Sequence, residues 1–255
     1  GTTDTGRSAV SRIHAIPSPP AFGTRVLRDI QLGEVLDLLD LDELFRLQWG
    51  GRGSGAPYDT AVREVFQPAL RRLREDALRN GWLQPQAVYG YFPVQSEGNV
   101  IVVYDPAAFD SDGGALREIG RFTFPRQEGR ERLCLADYFR STESGDVDVV
   151  ALQVVTIGDE ASRRFERLQA LGEYSEAYFV HGLAVEAAEA VAEWMHRRIR
   201  AELGIPAGRG KRYSWGYGAC PDLDDHAVVF RLLPAADALG MTLTSAFQLV
   251  PEQSK

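Results

Sequence analysis

Three observations on the sequence predict an α+β fold: a twisted, largely antiparallel sheet flanked by helices in one elongated domain. Strand-like runs concentrate in residues 88–156 with one more near the end of the chain, helix-period runs lie before and after that block, and the strand connections are hairpin-like. The 255 residues suffice for a large core, and 44% hydrophobic with 25% charged residues is ordinary for a globular chain.

Residues 1–22 are small and polar at first, then run Ile16-Pro17-Ser18-Pro19-Pro20. Proline fixes φ and removes a donor, so this stretch reads as an extended, semi-rigid linker entering from a preceding domain, with the folded domain at 23–255. From Asp29 to Leu39, Leu32, Val35, Leu36 and Leu39 follow helical spacing. Asp40-Leu41-Asp42-Glu43 then has the form of an N-cap with an acid three residues on, ahead of Leu44 and Phe45. Gly50-Gly51-Arg52-Gly53-Ser54-Gly55 follows a helix, and no Gly-Lys-Ser/Thr ends it. It is therefore a connector and not a phosphate loop.

Asp59 to Asn80 reads as a long amphipathic helix, with Pro68 predicting a kink or break and Gly81 a stop. Val88–Val94 and Val100–Tyr104 form a hairpin across Gln95–Asn99, Asp110–Gly114 turns the chain, Arg117–Phe124 is a third strand and Asp148–Thr156 a fourth. Cys134 between the last two reads as core, since nothing nearby would stabilise a thiolate.

Residues 159–203 read as helical with a break near Gly172. Along the second part, Glu186, Glu189, Glu193, Arg197 and Arg200 form one stripe. Glu193 and Arg197 make an i,i+4 pair, so the stripe is by default a solvated face on which Glu189 has no distinction. Gly204–Gly210 is a loop, Asp222 caps a helix through Leu232, Pro234 and Gly240 bracket a short helix, and Thr242–Val250 is a final strand.

Composition excludes several functions. The net charge of −8 argues against nonspecific nucleic-acid binding. The basic clusters at Arg71-Arg72 and His196-Arg197-Arg198 fall on predicted helices and read as solvated faces. No apolar run is long enough to span a bilayer, and no signal peptide opens the chain. Two cysteines make neither a disulfide framework nor a zinc set, so a reduced cytoplasm is expected. His181 and His196 stand too far apart on one helix to share a metal.

The most informative stretch is Arg212-Tyr213-Ser214-Trp215-Gly216-Tyr217-Gly218-Ala219-Cys220-Pro221-Asp222. Its glycines permit positive φ and close backbone approach. Two readings fit the chemistry alone: a tight loop packing its aromatics into the core, or a loop that wraps a ligand.

The order of residues in this stretch resembles the Arg-x-x-x-Gly-Tyr-x-Ala-Cys-Pro-Asp signature of the activation domain of cobalamin-dependent methionine synthase. Tyr89-Gly90-Tyr91-Phe92-Pro93, Cys134–Phe139 and His181–Glu189 are also similar to that family, so the likeness runs from the proline-rich segment to the final strand. The resemblance implies a domain that binds S-adenosylmethionine. In the family, cob(I)alamin held by a separate domain of the same polypeptide is occasionally oxidised to an inert cob(II) form. Reduced flavodoxin or an equivalent donor supplies an electron, and S-adenosylmethionine donates its methyl group to cobalt.

Carried over by position, the resemblance puts Asp40, Glu189, Arg212, Gly216, Tyr217, Gly218 and Ala219 around S-adenosylmethionine. Arg212 would pair with the methionyl carboxylate through its planar donor fork, and Asp40 would take the ammonium or another donor end. Gly216 and Gly218 would let backbone approach the ligand, and Tyr217 would turn a flat face toward the corrin or adenosyl moiety. No catalytic base is needed, because the sulfonium is already an activated donor. Neither His181 nor His196 lies in the Asp-x-His-x-x-Gly context of cobalamin-binding domains, so the corrinoid is expected elsewhere. Relatives continue past the position of Lys255 through another strand and a tyrosine-bearing segment that also touches the ligand. A truncated C-terminal tail is the expectation. It leaves open an alternative, a docking module that caps the cobalamin domain and recruits the electron donor without binding S-adenosylmethionine productively.

Overall fold

The computed structural model describes residues 6–10, 14–111 and 113–255. In chain order, β1 is Gly23–Leu27, α1 Leu32–Leu36, α2 Ala56–Ala61, α3 Gln67–Asn80, β2 Gln86–Glu97, β3 Val100–Tyr104 and α4 Pro106–Ser111. There follow β4 Glu118–Thr123, β5 Asp148–Thr156, α5 Glu160–Ala170, α6 Tyr174–Glu202, α7 Asp225–Leu232, α8 Ala235–Leu239, β6 Thr242–Leu243 and β7 Leu249–Val250. The main sheet is antiparallel throughout, as the hairpin connections predict.

β2 is the spine of that sheet. It pairs with β5 over Gln86–Val94, with β1 over Ala87–Tyr91 and with β3 over Val94–Glu97. Both of its faces are covered, which is why its sequence lacks polar alternation. Ala87, Tyr89 and Tyr91 join the core under α6, whereas Val88, Phe92 and Val94 join a second core with Phe122, Val229 and Leu233. The two buried tyrosines keep their hydroxyls satisfied by donating to Glu202 at the end of α6, at 2.7 and 2.9 Å.

Several boundaries differ from the sequence reading for identifiable reasons. β1 has no expected counterpart, because Gly23–Leu27 is too short and too polar to stand out; register with β2 makes it a strand. The first helix shrinks to Leu32–Leu36. Pro68 does not break its helix. α2, a π-helical stretch at Val62–Phe66 and α3 follow one another without a gap, so the irregularity a proline imposes is taken up in the π-helical turn that precedes it. The predicted final strand Thr242–Val250 is instead a small hairpin of β6 and β7 whose turn carries Phe247 at φ +60°. Asp222 lies ahead of α7 and not at its cap; its side chain accepts the Asp224 amide at 3.0 Å in a turn. The break at Gly172 and the buried, core-packed Cys134 agree with expectation.

Of the expected linker 1–22, residues 1–5 and 11–13 lie outside the described residues. Its described part is fastened to the domain. Ser8 donates its amide to Asp137 Oδ2 at 2.9 Å, and its hydroxyl donates to the same oxygen. Arg126 grips both Asp137 oxygens at 2.9 and 2.6 Å, and Arg7 lies 3.5 Å away. Burial alone would raise the Asp137 carboxyl, but the Arg126 and Ser8 hydrogen bonds hold it well below the usual carboxylate range.

Replacing Asp137 by alanine should cost about 3–5 kcal/mol in urea denaturation, because the nearly buried Arg126 guanidinium loses its carboxylate. Acid should act in the same direction. A depressed carboxyl contributes its stability in full above pH of about 4, and that contribution fades as pH falls below it. An unchanged denaturation midpoint in Asp137→Ala contradicts the clasp.

Candidate functional site

A groove of about 910 Å³ lies where α6, the loop 212–222, α7 and the C-terminal residues meet. One wall is acidic. Glu43, Glu186 and Glu189 line it, the first on a π-helical stretch at Glu43–Gln48 and the others on α6. That stretch starts as the sequence predicts: the Glu43 amide donates to Asp40 Oδ1 at 3.0 Å, so Asp40 serves as an N-cap. Gly182 allows the close approach that follows, since a Cβ there would lie 2.7 Å from Trp49 and 2.9 Å from Gln48. Gln48 Nε2 can then donate to Glu186 Oε1 at 3.2 Å.

Glu186 corrects the expectation of a solvated acidic stripe. It is only 3% exposed, turned toward the π-helical stretch and not outward. Burial pushes its carboxyl above the usual value; the Gln48 hydrogen bond opposes this, and the nearby charges of Glu43, Glu189 and Asp40 add to it. Helical periodicity cannot reveal such a contact, because the partner lies 138 residues away in sequence. Glu193 and Arg197 do form the expected surface pair at 3.0 Å.

The opposite wall is the loop. Its two arms are tied by Gly216 N–H to Cys220 O and Cys220 N–H to Tyr217 O, both 2.9 Å. Gly216 adopts φ +94° and a Cβ there would meet Leu223 at 3.0 Å, so glycine is required. Gly218 has neither constraint; it is exposed, and a Cβ would meet nothing within 4 Å. The Cys220 thiol donates to Ser214 O at 3.0 Å, and burial raises it to about 11, so it braces the turn as an unreactive thiol.

The loop divides its aromatics. Trp215 turns inward onto Phe122, ring centroids 5.1 Å apart, and donates to Asp225 at 3.2 Å. Tyr213 and Tyr217 stay outside, Tyr217 62% exposed. The packing reading of the loop therefore holds for the tryptophan and not for the tyrosines.

Arg212, Gly216, Tyr217 and Glu189 all line the groove, and Ala219 lines a contiguous recess shared with Glu189 and Tyr217. Asp40 and Gly218 are not lining residues. Arg212 reaches Glu189 only at 3.6 Å, and its buried Nε has no hydrogen-bond partner. Lys255 takes the other Glu189 oxygen at 2.6 Å. Among the described residues, no cluster of His, Cys, Asp and Glu could hold a metal, and no helix is long and apolar enough to cross a membrane.

Residues 54–255 match the family described as vitamin B12 dependent methionine synthase, activation domain. The chain belongs to that family. Methionine synthase of Mycobacterium tuberculosis (strain ATCC 25618 / H37Rv) is 38% identical over 276 aligned positions, covering 97% of this chain and 23% of the relative. Methionine synthase of Mycobacterium leprae (strain TN) is 36% identical over 267 positions, covering 94% and 22%. The chain thus spans less than a quarter of the length of these curated relatives. A solved structure, "Crystal Structure of the MetH Reactivation Domain bound to AdoHcy", is alike in fold, with a TM-score of 0.84 at 23% identity over 94% of this chain and 79% of that one.

In this activation domain the acidic wall carries a testable pH signature. A carboxyl raised in the folded state favours folding below the ordinary glutamate value of about 4.3, and that contribution is lost as pH rises through the folded-state value. Glu186→Gln should therefore raise the melting temperature at pH 7 and leave it unchanged near pH 4. A lower melting temperature at pH 7 would show that the ionised carboxylate is stabilising.

Proposed function

We propose that this activation domain binds S-adenosylmethionine in the groove between α6 and the loop 212–222, and presents its methyl group to cob(I)alamin carried by a separate domain of the same polypeptide. The observation that carries this reading is Arg212. Arg212 lines the groove with its Nη2 3.6 Å from Glu189, beyond hydrogen-bond reach, and its buried Nε has no partner, a costly state for a guanidinium. A ligand carboxylate would supply the missing acceptor, in the bidentate geometry that suits arginine.

The opposite wall suits the rest of such a ligand. Glu189, Glu186 and Glu43 line it, a negative field that favours a molecule bearing an ammonium and a sulfonium. Asp40, at the N-terminal end of the stretch carrying Glu43, remains a candidate for the ammonium or another donor end. Tyr217 offers an exposed ring face, Gly216 holds the turn that aims it, and Gly218 and Ala219 complete the loop's outer surface. The related reactivation domain was solved with AdoHcy, the demethylated counterpart of this ligand.

The chemistry asks little of these residues. Bound cobalamin supplies the nucleophile, and the methyl group leaves a sulfonium that becomes the neutral thioether of S-adenosylhomocysteine. What the chain contributes is orientation: the amino-acid end anchored at Arg212, the methyl-bearing sulfur held toward the open side beside Tyr217. Electron delivery by flavodoxin or an equivalent donor, upstream of the methyl transfer, completes the reactivation of methionine synthase.

Calorimetry with S-adenosylmethionine tests the reading. Arg212→Ala should weaken binding by about 1.5–3 kcal/mol, the value of a charge-assisted hydrogen bond to a charged partner. Unchanged affinity in the variant removes Arg212 from the site. A parent chain whose melting temperature does not rise with S-adenosylmethionine is a docking module instead.

A further inference from the structure

The C-terminal residues enter the groove in a defined way. Lys255 exchanges both backbone hydrogen bonds with Val155, at 2.7 and 2.9 Å, so it continues the sheet beyond β5. Ser254 Oγ donates to Thr156 Oγ1 at 2.9 Å and sets the same register. That ladder projects the Lys255 side chain into the groove. Its ammonium contacts Glu189 Oε1 at 2.6 Å, donates to the Tyr217 hydroxyl at 3.2 Å and lies 4.9 Å from the centre of the Tyr217 ring.

A carboxylate beside an aromatic face is the pair of groups that recognises an alkylated cation. Here both are already engaged by a cation of the chain itself. We propose that Lys255 occupies the seat of the ligand's positive charge, so that S-adenosylmethionine must displace this ammonium from Glu189 and Tyr217 to bind. The inference rests on the reading of the groove given above and adds a residue that sets its affinity and selectivity.

The geometry also accounts for Arg212. Glu189 has two oxygens and two cationic neighbours, one at 2.6 Å and one at 3.6 Å. Lys255 takes one oxygen at hydrogen-bond distance while the Arg212 Nη2 stays outside that distance from the other, so the guanidinium breaks no hydrogen bond to Glu189 when it turns to an incoming acceptor. Displacing the ammonium leaves Glu189 for the ligand's cationic end while Arg212 takes the carboxylate end. Burial works against the Lys255 charge, but the hydrogen bonds to Glu189 and Tyr217 keep its pKa above the ordinary lysine value, so the seat is filled across the neutral range.

Calorimetry on this chain and on Lys255→Met, which keeps the stem and removes the charge, provides the test. S-adenosylmethionine should bind the variant about fivefold more tightly, the equivalent of one partly exposed ion pair no longer to be broken. Lys255→Arg, which keeps the cation, should stay close to the parent. 5′-Methylthioadenosine has the adenosyl thioether but neither ammonium nor sulfonium; its affinity should not change between parent and Lys255→Met. A merely structural lysine would shift both ligands together. Equal or weaker S-adenosylmethionine binding in Lys255→Met overturns the proposal and shows that Lys255 supports the site. Absence of S-adenosylmethionine binding in parent and variant alike overturns the underlying reading of the groove, and this inference with it.

Discussion

One carboxylate, Glu189, is the point at which three remote parts of the chain meet. It comes from the middle of α6, Arg212 approaches it from the signature loop, and Lys255 reaches it from the bridge that residues 254 and 255 make on the free edge of β5. At about 33% exposure the group is neither a free surface charge nor a buried pair, so its partners can exchange without a large desolvation penalty. A core ion pair would be locked, and a fully solvated one would impose no orientation. The groove depends on this intermediate condition.

The fold produces that condition through the two faces of β2. One core places α6 across the sheet by means of Tyr89, Tyr91 and Ala187, with Glu202 closing the tyrosine hydroxyls. The other core places α7 and, through Trp215 on Phe122, the inward edge of the loop. The groove is the seam between those bodies. Its acidic wall is drawn close by Gly182, whose missing Cβ admits Trp49 and Gln48 and so turns Glu186 inward. Packing thereby determines which members of a uniform acidic stripe face a ligand.

Much of this was legible in the sequence, and the exceptions have physical causes. The antiparallel sheet, the long helix, the Asp40 cap and the break at Gly172 depend on local periodicity and turn chemistry, which short windows contain. β1 and the bridge at Ser254 exist only through pairing with distant strands, so no window holds their signal. Glu186 and Glu189 look alike on a helical wheel; one is buried by a partner from residue 48, the other is flanked by cations from residues 212 and 255. Of the two glycines in the signature turn, only Gly216 has positive φ and only there would a Cβ press on a neighbour, Leu223, which the order of residues does not reveal. Pro68 marks an irregularity in a helix, and whether the chain stops there or carries on through a π-helical turn depends on the packing of neighbours such as Phe66 and Ala69, which no short window contains.

The most direct measurement is a crystal structure of the chain soaked with S-adenosylmethionine. The amino-acid carboxylate should lie within hydrogen-bond distance of the Arg212 guanidinium, with the Lys255 ammonium moved off Glu189 and the methyl-bearing sulfur open to solvent beside Tyr217. Ligand density on any other surface, with Arg212 still turned to Glu189 and the Lys255 contacts intact, would contradict that arrangement.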